Sequence, residues 1–491
     1  MGLDIDREDF EAADFERFGD KLKADLRAFA QLLDRPGFGQ GPGSLGAELE
    51  VHLVDRDMRP MPINTQVRGE IGDERITLEL NRYNLEFNAH HTDLAGAPFA
   101  ALRAELEEGL RMLKDAARAH DGQVAVVGIL PTLEVADLAS RARTDLPRYN
   151  ALSKQMKQRR GGAPFEVRVN GDDPLKLQCD DVTMEGAATA WQLHLRVPPE
   201  EFARRYNAAQ LATGPLLAVG GNSPFFAGHR LWHETRIALF KHAVDDRVES
   251  TGPWRRPPRV SFGHGWVRDG ACELFQQTAS LHGPILPVCG QEDAEQVVAS
   301  GGVPLLEHMR LHHGTAWGWN RAVYDAAGGG HLRIEVRSLP AGPTIADMLA
   351  NSAFVLGLMF ELGENAEEWM PAFPFEYARH NLYRAAQSGL DARLLWPTPS
   401  PPSPRETDAR HLVLSLLDAA AAGLQRAGID ARDSDPLLEV IRGRAENGQT
   451  GSAWQRQALD DTSGEPAERF AEVLRRYLEH CESGEPVHLW K

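Results

Sequence analysis

Ser44-Leu45-Gly46-Ala47-Glu48-Leu49-Glu50-Val51-His52-Leu53-Val54-Asp55 reads as a β-strand. Leu49, Val51 and Leu53 fall on one face and Glu48, Glu50 and His52 on the other, because successive side chains of a strand point to opposite sides. The two glutamates therefore project their carboxylates the same way. Like charges that close repel, so the pair is costly unless a proton or a cation sits between them. A solvated outer face shows the same alternation. What favours a site is that three more segments repeat the pattern.

Residues 76–90 read as strand, short break, strand. Glu79 precedes the break, and Leu85, Phe87 and Ala89 then alternate with Glu86, Asn88 and His90. In residues 189–197, Leu193, Leu195 and Val197 oppose Gln192, His194 and Arg196. In residues 331–339, Leu332, Ile334 and Val336 oppose Arg333, Glu335 and Arg337. Around these strands the spacing predicts amphipathic helices at 15–34, 97–119, 200–219, 230–247, 410–427 and 466–482, with helices dominating 344–388. Residues 124–130 read as a buried apolar strand, and 166–169 with 175–179 as a hairpin. Residues 250–270, rich in Pro, Arg and Trp, suggest a loop over a site. The GxGxxG at Gly41 to Gly46 precedes a strand instead of following one, so it is read as a connector.

The chain is 491 residues long with 42% hydrophobic and 25% charged residues, a globular composition. Lys plus Arg number 53 against 71 Asp plus Glu, a formal charge of −18. That argues against nucleic acid or an anionic membrane as a partner. The four cysteines are dispersed and form no CxxC pair, which fits a reducing cytoplasm; Cys272 and Cys289 read as small buried side chains. The acidic N-terminus has no apolar core of a signal peptide, and no apolar run approaches a membrane span. The expectation is a cytoplasmic protein, with a homo-oligomer left open. The Pro-rich stretch 395–406 is the clearest boundary. The expected organisation is an N-terminal helix and linker (1–43), a catalytic unit (44–394), a linker (395–406) and a helical C-terminal region (407–491) that packs on the main body.

If the polar faces line the concave side of one curved antiparallel sheet, they gather Glu48, Glu50, Glu79, Glu86, Gln192, His194, Arg333, Glu335 and Arg337. Hard oxygen donors with one imidazole suit Mg²⁺ or Mn²⁺. Such ions bridge the phosphates of a nucleotide and offset the charge of phosphoryl transfer. His312 and His313 are read as loop histidines more often polar than ligating, and Trp191, Trp317 and Trp319 as core side chains with adenine stacking as the alternative.

Gly-Ala-Glu-Leu-Glu, the Glu79–Glu86 spacing, Ala-Ala-Thr-Ala-Trp-Gln-Leu-His-Leu, Gly-Asn-Ser-Pro-Phe-Phe and Arg-Ile-Glu-Val-Arg-Ser-Leu-Pro together resemble the glutamate–cysteine ligase family, in its bacterial carboxylate–amine ligase branch. The resemblance runs from about 44 to 350 and thins after about 365. It implies an α+β, glutamine-synthetase-like fold: a curved antiparallel sheet with a polar concave face and helices outside. It implies ATP as co-substrate, Mg²⁺ or Mn²⁺ as cofactor, amino acids as substrates and a place in glutathione biosynthesis. By position, Glu48, Glu50, Glu79, Glu86, His194 and Glu335 would be metal ligands. Arg337 would hold phosphate or an acyl phosphate, with Gln192 and Arg333 also at the nucleotide, and Glu335 and Arg337 as the catalytic pair. Arg236, Arg259 or Arg321 would bind the substrate's free carboxylate. The alternatives are a metal-dependent hydrolase or phosphatase and a non-catalytic nucleotide-binding module.

Overall fold

The computed structural model describes residues 5–248, 256–399 and 402–491. Residues 250–255 of the expected loop over the site, 400–401 of the Pro-rich stretch, and 1–4 of the acidic N-terminus lie outside the described residues.

The strands in chain order are β1 (Ser44–Val54), β2 (Ile76–Leu78), β3 (Asn84–Asp93), β4 (Gln123–Ala125), β5 (Phe165–Val169), β6 (Leu175–Cys179), β7 (Trp191–Val197), β8 (Phe225–Phe226), β9 (His229–Arg230), β10 (Asn320–Asp325), β11 (His331–Val336), β12 (Arg393–Pro399) and β13 (Pro402–Asp408). Seven of them form one antiparallel sheet in the order β10-β11-β7-β1-β3-β2, with β4 on the end of β1. The sheet curls into a half-barrel. The strands with alternating polar faces, far apart in sequence, are thus direct neighbours in space. Their aliphatic faces, among them Leu49, Val51, Leu193, Leu195, Ile334 and Val336, are buried. The helices Pro98–Ala119 and Pro199–Gly220 pack along the sheet. Burying aliphatic side chains fixes the register, since a slip of one residue would turn every carboxylate into the core.

Ile345–Glu364 is the one helix among the described residues long and apolar enough to cross a bilayer, and 83% of its apolar window is buried. Thr344 and Asp347 close its N-terminus as a reciprocal capping box. It crosses Ala409–Arg426 at glycines: a Cβ on Gly423 would stand 1.9 Å from the carbonyl oxygen of Gly357, so the two backbones meet directly.

Across the Pro-rich stretch, β12 pairs with β13 from Arg393↔Asp408 to Pro399↔Pro402. Prolines are tolerated there because this two-stranded ribbon is all edge. The C-terminal region also contains Ala431–Asn447 and Gly451–Asp460, helices the spacing did not reveal. Of the apolar run 124–130 only Val124 and Ala125 pair as a strand, within β4, and only Arg236–Ala243 of 230–247 is α-helical. β10 went unseen in the sequence; it pairs with β11 along its whole length.

Candidate active site

Across the sheet the register lines up Arg321↔Glu335 (β10–β11), Glu335↔His194 (β11–β7), Glu48↔Gln192 (β1–β7), Glu50↔Glu86 (β1–β3) and Thr77↔Glu86 (β2–β3). The row falls into two groups of acids.

In the first group the ligand atoms of Glu48, His194 and Glu335 all lie within 4.8 Å of one another. His194 Nε2 is 3.3 Å from Glu48 Oε1 and 3.9 Å from Glu335 Oε1. His194 is buried, and neither ring nitrogen makes a hydrogen bond among the described residues. A buried imidazole whose nitrogens face carboxylates without a well-formed hydrogen bond is costly unless a proton or a cation joins them. Neighbouring ligands of an octahedral ion at about 2.1 Å stand about 3 Å apart, so the donor set fits a divalent cation. Glu335 is fully buried and bracketed by cations: Arg321 Nε at 2.5 Å from Oε2, and Arg337 Nη1 at 2.7 Å from Oε1. Burial alone would push its carboxyl up; Arg321, Arg337 and His194 hold it well below the ordinary range.

The second group comprises Glu50, Glu79, Glu86 and Glu185. Burial and the charge of Glu86 push Glu50 up to about 8. Burial and Glu48 push Glu86 up to about 8; burial and Glu50 push Glu79 up to about 7; burial and Glu79 push Glu185 up to about 8. Glu86 accepts hydrogen bonds from Thr77 Oγ1 (3.1 Å) and Asn88 Nδ2 (2.9 Å), and Glu50 from the Ala190 amide (2.8 Å). Carboxylates held this far up are favoured by a proton or a cation that offsets their charge.

Gln192 joins the groups. Its Nε2 donates to Glu50 Oε1 at 2.7 Å and its Oε1 accepts from Arg337 Nη1 at 2.7 Å, so both ends of the amide are committed within the floor. Glu185 is the residue that sequence reasoning missed. It sits in the 3₁₀ turn Val182–Ala187, where no alternation marks a face.

The arginines separate. Arg321 borders a cleft shared with His313 and Asn320, a cavity of about 50 Å³. Arg333 is tied to Asp325 at 3.1 Å. Arg236 is buried, donating to Glu234 Oε1 (3.0 Å) and the Ser338 carbonyl (3.2 Å). Arg259 directs its donors to Asp246 (2.9 Å) and to the carbonyls of Thr315 (3.1 Å) and Gly283 (2.6 Å). A buried guanidinium is stable only with its donors satisfied, and here loop carbonyls satisfy them. His312 and His313 belong to the helix Glu307–His313, and His313 packs on Phe275 and bonds Thr278 Oγ1 at 2.9 Å. Trp191 is buried and donates to Ser352 Oγ at 2.8 Å, a core role.

The family model "glutamate-cysteine ligase family 2 (GCS2)" matches residues 44–479, well past the point where the motifs thin. Glutamate–cysteine ligase from Francisella tularensis in complex with AMP is similar in structure at a TM-score of 0.56 and 13% identity, covering 91% of this chain and 90% of that one. A bifunctional glutathione synthetase from Pasteurella multocida gives 0.48 and 11%, covering 94% of this chain and 55% of that one. No curated protein matches. The chain belongs to glutamate–cysteine ligase family 2 and is an ATP-dependent, C–N bond-forming carboxylate–amine ligase.

Proposed function

We propose that this ligase activates the carboxylate of an amino acid, with glutamate as the default, and joins it to the amine of a second amino acid such as cysteine. The observation that supports this most is the cluster of Glu48, His194 and Glu335 on the polar face of the sheet, with ligand atoms within 4.8 Å of one another. Glu48, His194 and Glu335 would hold Mg²⁺ or Mn²⁺, and Glu50, Glu79 and Glu86 the further charge. A divalent ion bound there would offset charge on phosphate oxygens.

The chain's own residues do the rest. A carboxylate is resonance-stabilised and negative, so an amine does not attack it. Transfer of the γ-phosphoryl of ATP breaks its bond to ADP and forms an acyl phosphate. The amine then bonds to the acyl carbon, phosphate leaves with the C–O electron pair, and the nitrogen loses a proton. Arg337, held by Glu335 and Gln192, offers a fixed guanidinium to phosphate or acyl phosphate, with no reorganisation needed during the reaction. Arg321, which borders the cleft, would orient the substrate beside it.

ADP release should be measured from ATP and Mg²⁺ across a matrix of amino acids, with and without cysteine. The proposal expects ADP only with a suitable carboxylate, and a hydroxamate when hydroxylamine replaces the amine. Phosphate release from simple phosphoesters without ATP would instead indicate a hydrolase.

A further inference from the structure

The acidic basin needs an entry for anions, and most of its arginines are already taken. Arg321 and Arg337 are paired with Glu335, and Arg236 with Glu234, at 3.1 Å or less. Arg148 differs. It stands in the first turn of the helix Pro147–Arg159, half-buried, and pairs with no carboxylate among the described residues.

Its position is nevertheless fixed at the basin. The segment before it is stitched to the loop that carries Glu79. The Thr144 amide donates to the Leu80 carbonyl at 2.8 Å, and Thr144 Oγ1 to the Glu79 carbonyl at 2.5 Å. Tyr149 OH donates to the Leu78 carbonyl at 3.0 Å, and the Arg148 guanidinium lies 5.0 Å over the Tyr149 ring. Stacking on an aromatic face orients a guanidinium while leaving its in-plane donors open. The same helix is tied to the turn that carries Glu185: Ser153 Oγ donates to Oδ2 of Asp181, the N-cap of Val182–Ala187, at 2.9 Å. At the Glu335 end, Arg321 and Arg337 are already bonded.

We infer that Arg148 is a substrate-binding residue, the guanidinium that receives an anionic oxygen group of an incoming substrate at the Glu79–Glu185 end of the basin. Phosphate and carboxylate present the same paired oxygens to such a fork, so the ligand is either the nucleotide's phosphates or the carboxylate of the substrate to be activated. This inference rests on the ligase reading above.

The test compares wild type with Arg148→Ala and Arg148→Lys, measuring ADP release while ATP and the carboxylate are varied separately. For Arg148→Ala the expected result is a rise of about tenfold to a hundredfold in KM for one of the two, with a smaller change in kcat. Arg148→Lys should recover part of the loss, and added guanidinium ion should partly rescue the alanine variant. Neither recovery is expected of a residue that only supports the fold. A rise confined to ATP assigns the phosphates; one confined to the carboxylate assigns that group. Wild-type KM for both substrates in the alanine variant overturns the inference, as does an equal loss in the alanine and lysine variants with no rescue. If wild type itself releases no ADP, the ligase reading fails. Calorimetric titration of ATP and of the carboxylate into wild type and Arg148→Ala then decides Arg148 alone: weaker binding in the variant supports it, and equal or absent binding overturns it.

Discussion

Among the described residues, Glu335 is the site acid most tightly bracketed by cations. It meets two guanidiniums and faces His194, and it is fully buried. Glu335→Gln keeps the side chain's shape and an oxygen for the arginines but removes the negative charge. Turnover should fall by about a thousandfold, the upper end of what one preorganised electrostatic contact contributes. Circular dichroism should still show a cooperative, folded protein; loss of the fold would make Glu335 structural. The residue scale also shows where sequence reading stops. The strand acids were legible because a period of two puts them on one face. Arg259 was not, because a lone arginine in a loop looks the same whether it meets substrate or loop carbonyls. Glu185 was not, because a 3₁₀ turn leaves no repeating pattern to read.

At the scale of elements, four strands carried the fold's decisive information, and their sheet order follows from nothing local. β10 escaped notice because Asn320-Arg321-Ala322-Val323-Tyr324-Asp325 has Arg321 and Val323 on the same face, which blurs the alternation. The β12–β13 ribbon escaped because prolines usually mark an open chain. The C-terminal helices were expected to pack on the main body, and Arg444 on Ala431–Asn447 shows how. It is buried, with donors on the Val219 carbonyl (3.1 Å), Asn351 Oδ1 (2.9 Å) and the Asp347 carbonyl (3.1 Å), and its Nε lies 3.5 Å from Asp347 Oδ1. Arg444→Ala leaves Asp347 buried without its cation, so the chain should lose about 3–5 kcal/mol in denaturant unfolding. A change under about 1 kcal/mol would mean that this region contributes little to the shared core.

At the scale of the whole molecule, the half-barrel concentrates acid where water is scarce. Glu50, Glu86 and Glu185 are raised from 4.5 to about 8, and Glu79 to about 7. A carboxyl with a raised folded-state pKa favours the fold below its unfolded value, and that contribution disappears as the pH climbs through its folded value. Without divalent cations, these groups should therefore cost stability progressively from about pH 4.5 to about pH 8. A cation competes with their protons, so the gain in Tm from Mg²⁺ should grow between about pH 6 and about pH 8.5. Differential scanning calorimetry with and without Mg²⁺ checks this, and a gain independent of pH would contradict it. The proposed amide synthesis at this site depends on Glu48, His194 and Glu335 sharing a cation. Titration of Mn²⁺ followed by electron paramagnetic resonance tests that most directly. Wild type should bind Mn²⁺, and Glu335→Gln and His194→Ala should each weaken binding by about tenfold or more. Mn²⁺ affinity unchanged in both variants would contradict the account.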